Sequence, residues 1–279
     1  MTAAALDDWV GRTQRTEDLI ARQPAIGMAA TLDRDDAPGT GDALPPGWHW
    51  LYFVDTAPQS ALGPDGHAAR GEFLPPVALP RRMWGGNRLT FHRPLRIGES
   101  ARRDSEIRSI DQKQGRAGAL AFVTVRHSYW GPDGLALEED HDIVYREPER
   151  PGAAAPEAVP APCAAVWRRV IEPDPVLLFR YSALTFNGHR IHYDAPYVTE
   201  VEGYPGLIVH GPLTATLLLD LLRRERPDAV LRSIHFRARR PLFAGAPLTL
   251  EGAPDDDGAQ LWALDPDGAV AMNATVTFA

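Results

Sequence analysis

The chain has 279 residues, enough for one large domain or two ordinary ones, with the 44% hydrophobic and 24% charged content of a globular protein. A net charge of −8 argues against a nucleic-acid surface, and no apolar run approaches the roughly 20 residues of a membrane helix. One cysteine, Cys163, excludes an intrachain disulfide and a cysteine zinc site; beside a Pro/Ala tract it reads as a packing residue rather than a catalytic thiol.

Met1 to Arg12 shows no basic start followed by an apolar run, so no signal peptide is expected and a cytoplasmic location follows by default. The first helix candidate is Pro24 to Leu32, opened by proline and mostly apolar. Strand-like runs follow at Trp48–Val54, Arg88–Phe91, Ala119–Tyr129 and Asp142–Tyr145. Between them, Asp55 to Gly86 is rich in Pro and Gly with little periodicity, and a loop of that length in a compact domain is functional or mobile. Five prolines between Glu147 and Pro162 mark an extended linker. The expected organisation is a first half at 1–146, a linker at 147–163 and a second half at 164–279. The second half has its helix at Pro212–Arg224, apolar nearly all round and therefore buried. Its strands are Val230–Phe236, Leu248–Glu251, Gln260–Leu264 and Ala269–Phe278. Asp133-Gly134 and Asp267-Gly268 read as hairpin turns.

The halves look like copies. Arg93-Pro94-Leu95 with Gly98 matches Arg240-Pro241-Leu242 with Gly245, and each string is followed by a stretch ending in a strand-like run. A buried helix followed by antiparallel strands, done twice, suggests two sheets each wrapped around one helix.

The densest set of catalytic side chains is the segment from Asn187 to Gly211. It holds His189, Arg190, His192, Asp194 and His210, three of the nine histidines in the chain, and feeds the second helix. The string FNGHRIHYD followed by His210-Gly211 resembles the MaoC-like enoyl-CoA hydratases, whose motif runs approximately Gly-Asp-x-Asn-Pro-x-His with a later His-Gly. Asn187 falls on the acid position and His192 on the histidine. With MWGGNRLTFHRPL in the first half, the chain resembles the type 2 hydroxyacyl-thioester dehydratases and the mesaconyl-CoA and itaconyl-CoA hydratases grouped with them. That resemblance implies an α+β double hot-dog fold, two curved antiparallel sheets each wrapped around a long helix. It also implies a hydro-lyase acting on an enoyl or 3-hydroxyacyl thioester, with coenzyme A entering as part of the substrate and no metal or redox cofactor.

The chemistry needs a group near neutral pKa for the proton next to the thioester carbonyl, and His192 is the candidate. The charge building on the carbonyl oxygen needs preorganised donors, and the N–H of Gly211 at a helix start is expected to receive it, with glycine letting substrate approach. Asn187 cannot exchange protons. Three readings stay open: His192 does all the proton work while Asn187 positions water, Asp194 or His189 supplies a second titrating group, or the site is inactive. His189, Arg190, His210, Arg237, Arg239 and Trp84 are candidate substrate or CoA contacts. Plainer readings stand beside most of the candidates: a surface or packing histidine for His192, packing for Trp84, helix bracing for His210, an ion pair with Asp194 for Arg190, and a solvated strand face for Arg237, Arg239 and Arg240. A metal on His189, His192 and His210 is not expected, because the HxxH lies in irregular chain. The first half is expected to be non-catalytic and to shape the acyl pocket, with Arg81, Arg82 and Arg88 suiting a second substrate carboxylate. The alternatives are a hot-dog thioesterase, for which only Asp220 offers a helix carboxylate, and a non-catalytic acyl-thioester binder. The partners expected are thus an acyl-CoA, no nucleic acid, no membrane and a possible homodimer.

Overall fold

A computed structural model describes residues 6–115, 118–148 and 158–279. The expected linker at 147–163 falls largely on 149–157, outside the described residues. Ten antiparallel strands form one sheet in the order β1-β3-β4-β5-β2-β7-β10-β9-β8-β6. The first half contributes β1 (Thr13–Leu19), β2 (Arg81–Phe91), β3 (Ser100–Gly115), β4 (Gly118–Gly131) and β5 (Gly134–Arg146). The second contributes β6 (Trp167–Ile171), β7 (Leu231–Ala238), β8 (Leu248–Asp255), β9 (Gly258–Leu264) and β10 (Val270–Phe278). The order reads the same from both ends, so the halves are copies related about the central β2–β7 pair, where Leu89 faces Ile234. The two expected sheets are joined there into one.

The duplicated strings confirm the correspondence. Leu95 and Leu242 are both buried, Gly98 and Gly245 both take a left-handed φ, and each glycine turns the chain into the next long strand. Gly98 N–H donates to Ile20 O as Gly245 N–H does to Pro173 O, which equates helix α1 (Arg22–Thr31) with α2 (Pro175–Leu184). Leu44 N–H donates to Leu95 O as Val209 N–H does to Leu242 O, which equates the chain after Leu44 with the start of α3 (Gly211–Glu225).

That correspondence corrects the sequence reading. The helix begun near Pro24 is the counterpart of α2, an element sequence reasoning passed over, and not of the long helix. Where α3 runs for 15 residues, the first half makes only a 3-10 turn, Trp48–Leu51, in place of the expected strand. Pro45 and Pro46 remove two backbone donors there, and Gly47 takes φ 84, a conformation that neither helix nor strand continues. Only the second half therefore wraps a long helix. Leu213, Leu217, Leu218, Leu221 and Leu222 are all buried, each worth about 1.5–3 kcal/mol of apolar transfer. Its one buried carboxylate, Asp220, accepts from Arg34 at 2.9 Å, Arg169 at 2.6 Å and Arg224 at 2.8 Å, so it ties the helix to both halves. In the first half the corresponding interior is polar. Glu139 is buried and accepts from Trp50 at 2.9 Å, Tyr129 at 2.8 Å and Asn87, with His49 at 3.2 Å. Burial would raise its pKa, but His49 and the neighbouring imidazoles lower it further and keep it ionised.

Candidate active site

Asp174 caps α2 by accepting from Leu177 N–H at 2.7 Å, and Pro175 opens it. The helix ends at Thr185, and Phe186 at φ 49 reverses the chain. Asn187 Oδ1 then accepts from His189 N–H at 3.0 Å and sets the turn that starts the candidate segment, leaving the amide nitrogen as its available end. A 3-10 turn, Arg190–His192, and a π-turn, Tyr197–Val201, carry the chain to α3.

His192 is buried, and its Nδ1 lies 2.7 Å from Ile208 O. A carbonyl can only accept, so Nδ1 carries the proton and the lone pair sits on Nε2. Burial pushes the His192 pKa down to about 4, against a smaller upward effect of the Ile208 bond. The ring is therefore neutral at pH 7. It stacks on His210 at 3.6 Å and 20°, and His210 is the N-cap of α3. His210 is braced from α2, with Nε2 2.8 Å from Ser182 Oγ and the Tyr181 ring at 5.0 Å. Burial and the adjacent imidazoles hold it well below the usual histidine range. The first N–H groups of α3 have no intrahelical acceptor, and Pro212 has no N–H, so Gly211 N–H is the outermost donor beside this stack.

Gly211 is small for a reason the sequence did not show. A Cβ there would lie 2.6 Å from Cε3 of Trp84. Besides the expected approach of substrate, glycine here clears room for the indole. Trp84 is aimed there by a bulge between Trp84 and Gly86, and a Cβ on Gly86 would land on Phe236 O of β7. The indole thus forms the wall next to the helix start, 6.4 Å from the Phe236 ring.

The loop expected to be functional or mobile crosses from the first half onto this segment. Arg190 N–H donates to Asp65 O at 2.9 Å and Arg190 Nη1 to Pro64 O at 3.0 Å. Gly66, at φ 89, packs so tightly on Gly188 that a Cβ would land on its carbonyl oxygen. This contact delivers two residues that sequence reasoning missed. His67 Nδ1 lies 3.0 Å from Asp65 Oδ2, and its ring packs at 4.1 Å on His189, which meets His192 edge-on at 5.4 Å. Burial alone would raise the Asp65 pKa, but His67 lowers it further, while burial lowers both His67 and His189. A row of neutral imidazoles with one carboxylate at its far end results. One ligand atom from each of Asp65, His67 and His189 lies within 4.8 Å of the others, a spacing that also suits a cation and differs from the His189, His192 and His210 set weighed from sequence.

The remaining candidates separate. Arg190 forms the expected ion pair with Asp194 at 2.7 Å and lies over Tyr197 at 4.0 Å, so both brace the segment. Arg239 donates to Asn273 at 2.7 Å, Arg240 pairs with Asp265 at 3.1 Å, and Arg237 is exposed on β7. Cys163 is exposed. No helix among the described residues is long and apolar enough to cross a membrane. A small cleft of about 20 Å³, room for one water, is lined by Asp65, Arg81, Arg82, His189, Ile191 and Glu202, among others.

Residues 47–244 match the hydroxyacyl-thioester dehydratase type 2 family. The chain belongs to that family. It is 51% identical over 99% of both chains to mesaconyl-C(4)-CoA hydratase of Chloroflexus aurantiacus. It is 30% identical to a mitochondrial hydroxyacyl-thioester dehydratase type 2 of Schizosaccharomyces pombe, over 84% of this chain and 88% of the other. Among solved structures, a MaoC-like dehydratase superposes with a TM-score of 0.72 at 16% identity, covering 98% of this chain and 99% of that one. A Mycobacterium tuberculosis protein described as a double hotdog fold superposes at 0.62 and 15%, covering 98% and 97%. This type 2 dehydratase family member therefore has the expected double hot-dog fold and the expected hydro-lyase class. Asp220, the carboxylate on which a thioesterase reading rested, is occupied by three arginines away from the imidazole row.

Proposed function

We propose that this dehydratase-family protein adds water reversibly across the 2,3 bond of a CoA-linked enoyl group, with His192 as the proton-transferring base and a branched dicarboxylic acyl chain as substrate. The observation that carries the reading is the Nδ1–H bond from His192 to Ile208 O, made by a ring stacked against the start of α3. It leaves a neutral, directed Nε2 beside the free N–H of Gly211. The dicarboxylic chain is supported by the 51% identity to a mesaconyl-C(4)-CoA hydratase.

In the hydration direction, Nε2 takes a proton from water as the water oxygen bonds to the β-carbon. The π pair shifts toward the thioester, and its oxygen is received by Gly211 N–H at the positive end of α3. The imidazolium then returns its proton to the α-carbon, which restores the neutral ring and completes the addition on one face. Asn187 donates from its amide nitrogen to hold the water. Each step uses imidazole, amide or backbone groups alone.

Incubation with mesaconyl-C(4)-CoA and with crotonyl-CoA tests the reading. Loss of the enoyl absorbance without release of free thiol is expected, at a rate unaltered by exhaustive chelation. Thiol release would make the protein a thioesterase, and no change in either signal would make it a binder.

A further inference from the structure

Three arginines of β2 were candidates for a second substrate carboxylate, and their surroundings differ. Arg81 Nε lies 3.1 Å from Glu202, and its guanidinium sits over the Tyr204 ring at 5.0 Å. Arg88 is exposed, with Nη1 2.5 Å from Asp142 and Nε 3.8 Å from Asp140. Both already have carboxylate partners. Arg82 does not. It is part-buried and, among the described residues, has neither an ion pair nor a hydrogen bond.

Its direction is set by the sheet. Arg82 stands opposite Tyr145 in the β2–β5 ladder, and residues opposite one another share a face. Tyr145 is fully buried, so Arg82 starts on the inner face. From there it lines the cleft with Asp65, His189 and Ile191. Burial is the first cause that lowers the pKa of His67, His189 and His141, and the charge of Arg82 adds to it at all three. The guanidinium thus looks into the imidazole row.

The other charges of this cleft are balanced. Asp65 is held by His67, and Glu202 by Arg81. The cation left over is Arg82. A guanidinium at a cleft with no carboxylate partner is open to a ligand, and its planar fork matches a carboxylate with two parallel bonds. The geometry of a dicarboxylic enoyl thioester requires a receptor there. Its free carboxylate is attached across the reacting double bond from the thioester, so its partner must stand close to the reacting imidazole. His189, which lines the cleft and meets His192 edge-on, makes that link.

We propose that Arg82 is the specificity-determining residue of this site and receives the free carboxylate of the acyl group. The assignment rests on the hydro-lyase reading above. It is tested by kcat/KM on mesaconyl-C(4)-CoA and on crotonyl-CoA for the wild type, Arg82→Lys and Arg82→Met. The ratio of the two values should fall about 100-fold in Arg82→Met, the cost of truncating one partner of a desolvated charge pair. Arg82→Lys, which keeps charge but loses the fork, should fall between. Added guanidinium ion should restore part of the Arg82→Met rate on the dicarboxylic thioester alone, a response that a merely misfolded variant would not give. A ratio unchanged within about 3-fold, or rescue equal on both thioesters, overturns Arg82 while leaving the hydro-lyase reading intact. A wild type that hydrates neither thioester overturns both.

Discussion

The two halves began as the same unit and now do different work. In the second half the chain after α2 spends residues 185–209 on the candidate segment and then forms the 15-residue α3. In the first half, the chain after α1 reaches its counterpart of α3 sooner, makes the 3-10 turn Trp48–Leu51 there, and spends the following residues on a loop with a second short 3-10 turn, Gln59–Ala61. The lost helix is not a defect. The central β2–β7 pairing and the Asp220 arginine cluster hold the halves together, so one copy can give up its helix and send a loop across instead. His192, Asn187 and Gly211 come from the second half, while Asp65, His67, Arg82 and Trp84 come from the first. In the proposed mechanism the site is composite: one copy carries the reacting groups and the other builds their walls.

The largest effect should separate two buried histidines in comparable settings. His192→Ala removes the imidazole that, among the described residues, holds a directed, neutral Nε2 at the helix start, and kcat per folded molecule should fall about 10³-fold, on top of a stability loss of about 1–3 kcal/mol from the unpaired Ile208 carbonyl. His49→Ala instead strips a partner from buried Glu139 in the first half, which should cost about 1–3 kcal/mol of stability while folded molecules keep their kcat. Melting curves and kcat on one enoyl-CoA decide it. Near-native turnover of His192→Ala would end the division of labour proposed here.

A smaller effect should come from separating the halves at their point of contact. Gly66→Ala places a methyl on Gly188 O at a left-handed φ, so the loop must lift and take Asp65 and His67 with it. We expect kcat to fall about 10-fold or more, with a stability loss of about 1–3 kcal/mol. Gly11 is the control, because it has a similar φ of 83 and open space around its Cβ. Gly11→Ala should carry the backbone strain alone and leave kcat unchanged. Equal kinetics for the two variants would show that the loop contributes nothing to the reaction.

The sequence was legible where a local pattern carried the information. Repeated RPLxxG strings revealed the duplication, the leucine-rich run revealed α3, and the His-Gly step located the donor at its start. It was illegible where pairing partners decide. Strand β3 reads SARRDSEIRSIDQKQG and shows no alternation of apolar residues, yet it is a strand because β1 and β4 flank it on both sides. Helix α2 had the Asp174-Pro175 start signal but was passed over beside the chemically richer segment that follows. His67 could not be found by spacing, since only the Gly66–Gly188 contact, between residues far apart in the chain, brings it to His189. The unnoticed signal was Pro64-Asp65-Gly66-His67 itself, an acid and an imidazole two residues apart in a loop already marked as too long to be idle.

The finest difference between the halves concerns pH. An exposed imidazole titrates near 6.5. Burial pushes His192 down to about 4, and in the first half it pushes His127 to about 3 and His141 to about 4. A base must be neutral, so kcat/KM per folded molecule should stay flat from pH 7.5 to about 5 and reach half its value near pH 4. Stability obeys another window. A histidine depressed in the folded state stabilises fully above 6.5, and that contribution is lost as pH falls from 6.5 through the folded value, because the unfolded chain takes up protons first. For His192 the loss amounts to about 3 kcal/mol. Both halves should therefore add to acid destabilisation, but only the second should set the acid limb of the rate. His141→Asn removes one depressed imidazole from the first half. It should flatten the dependence of stability on pH between 6.5 and 4 and leave the kcat/KM midpoint where it was. A midpoint that moved with that variant would mean that first-half imidazoles titrate with the reaction, and the walls would then have to be counted among the reacting groups.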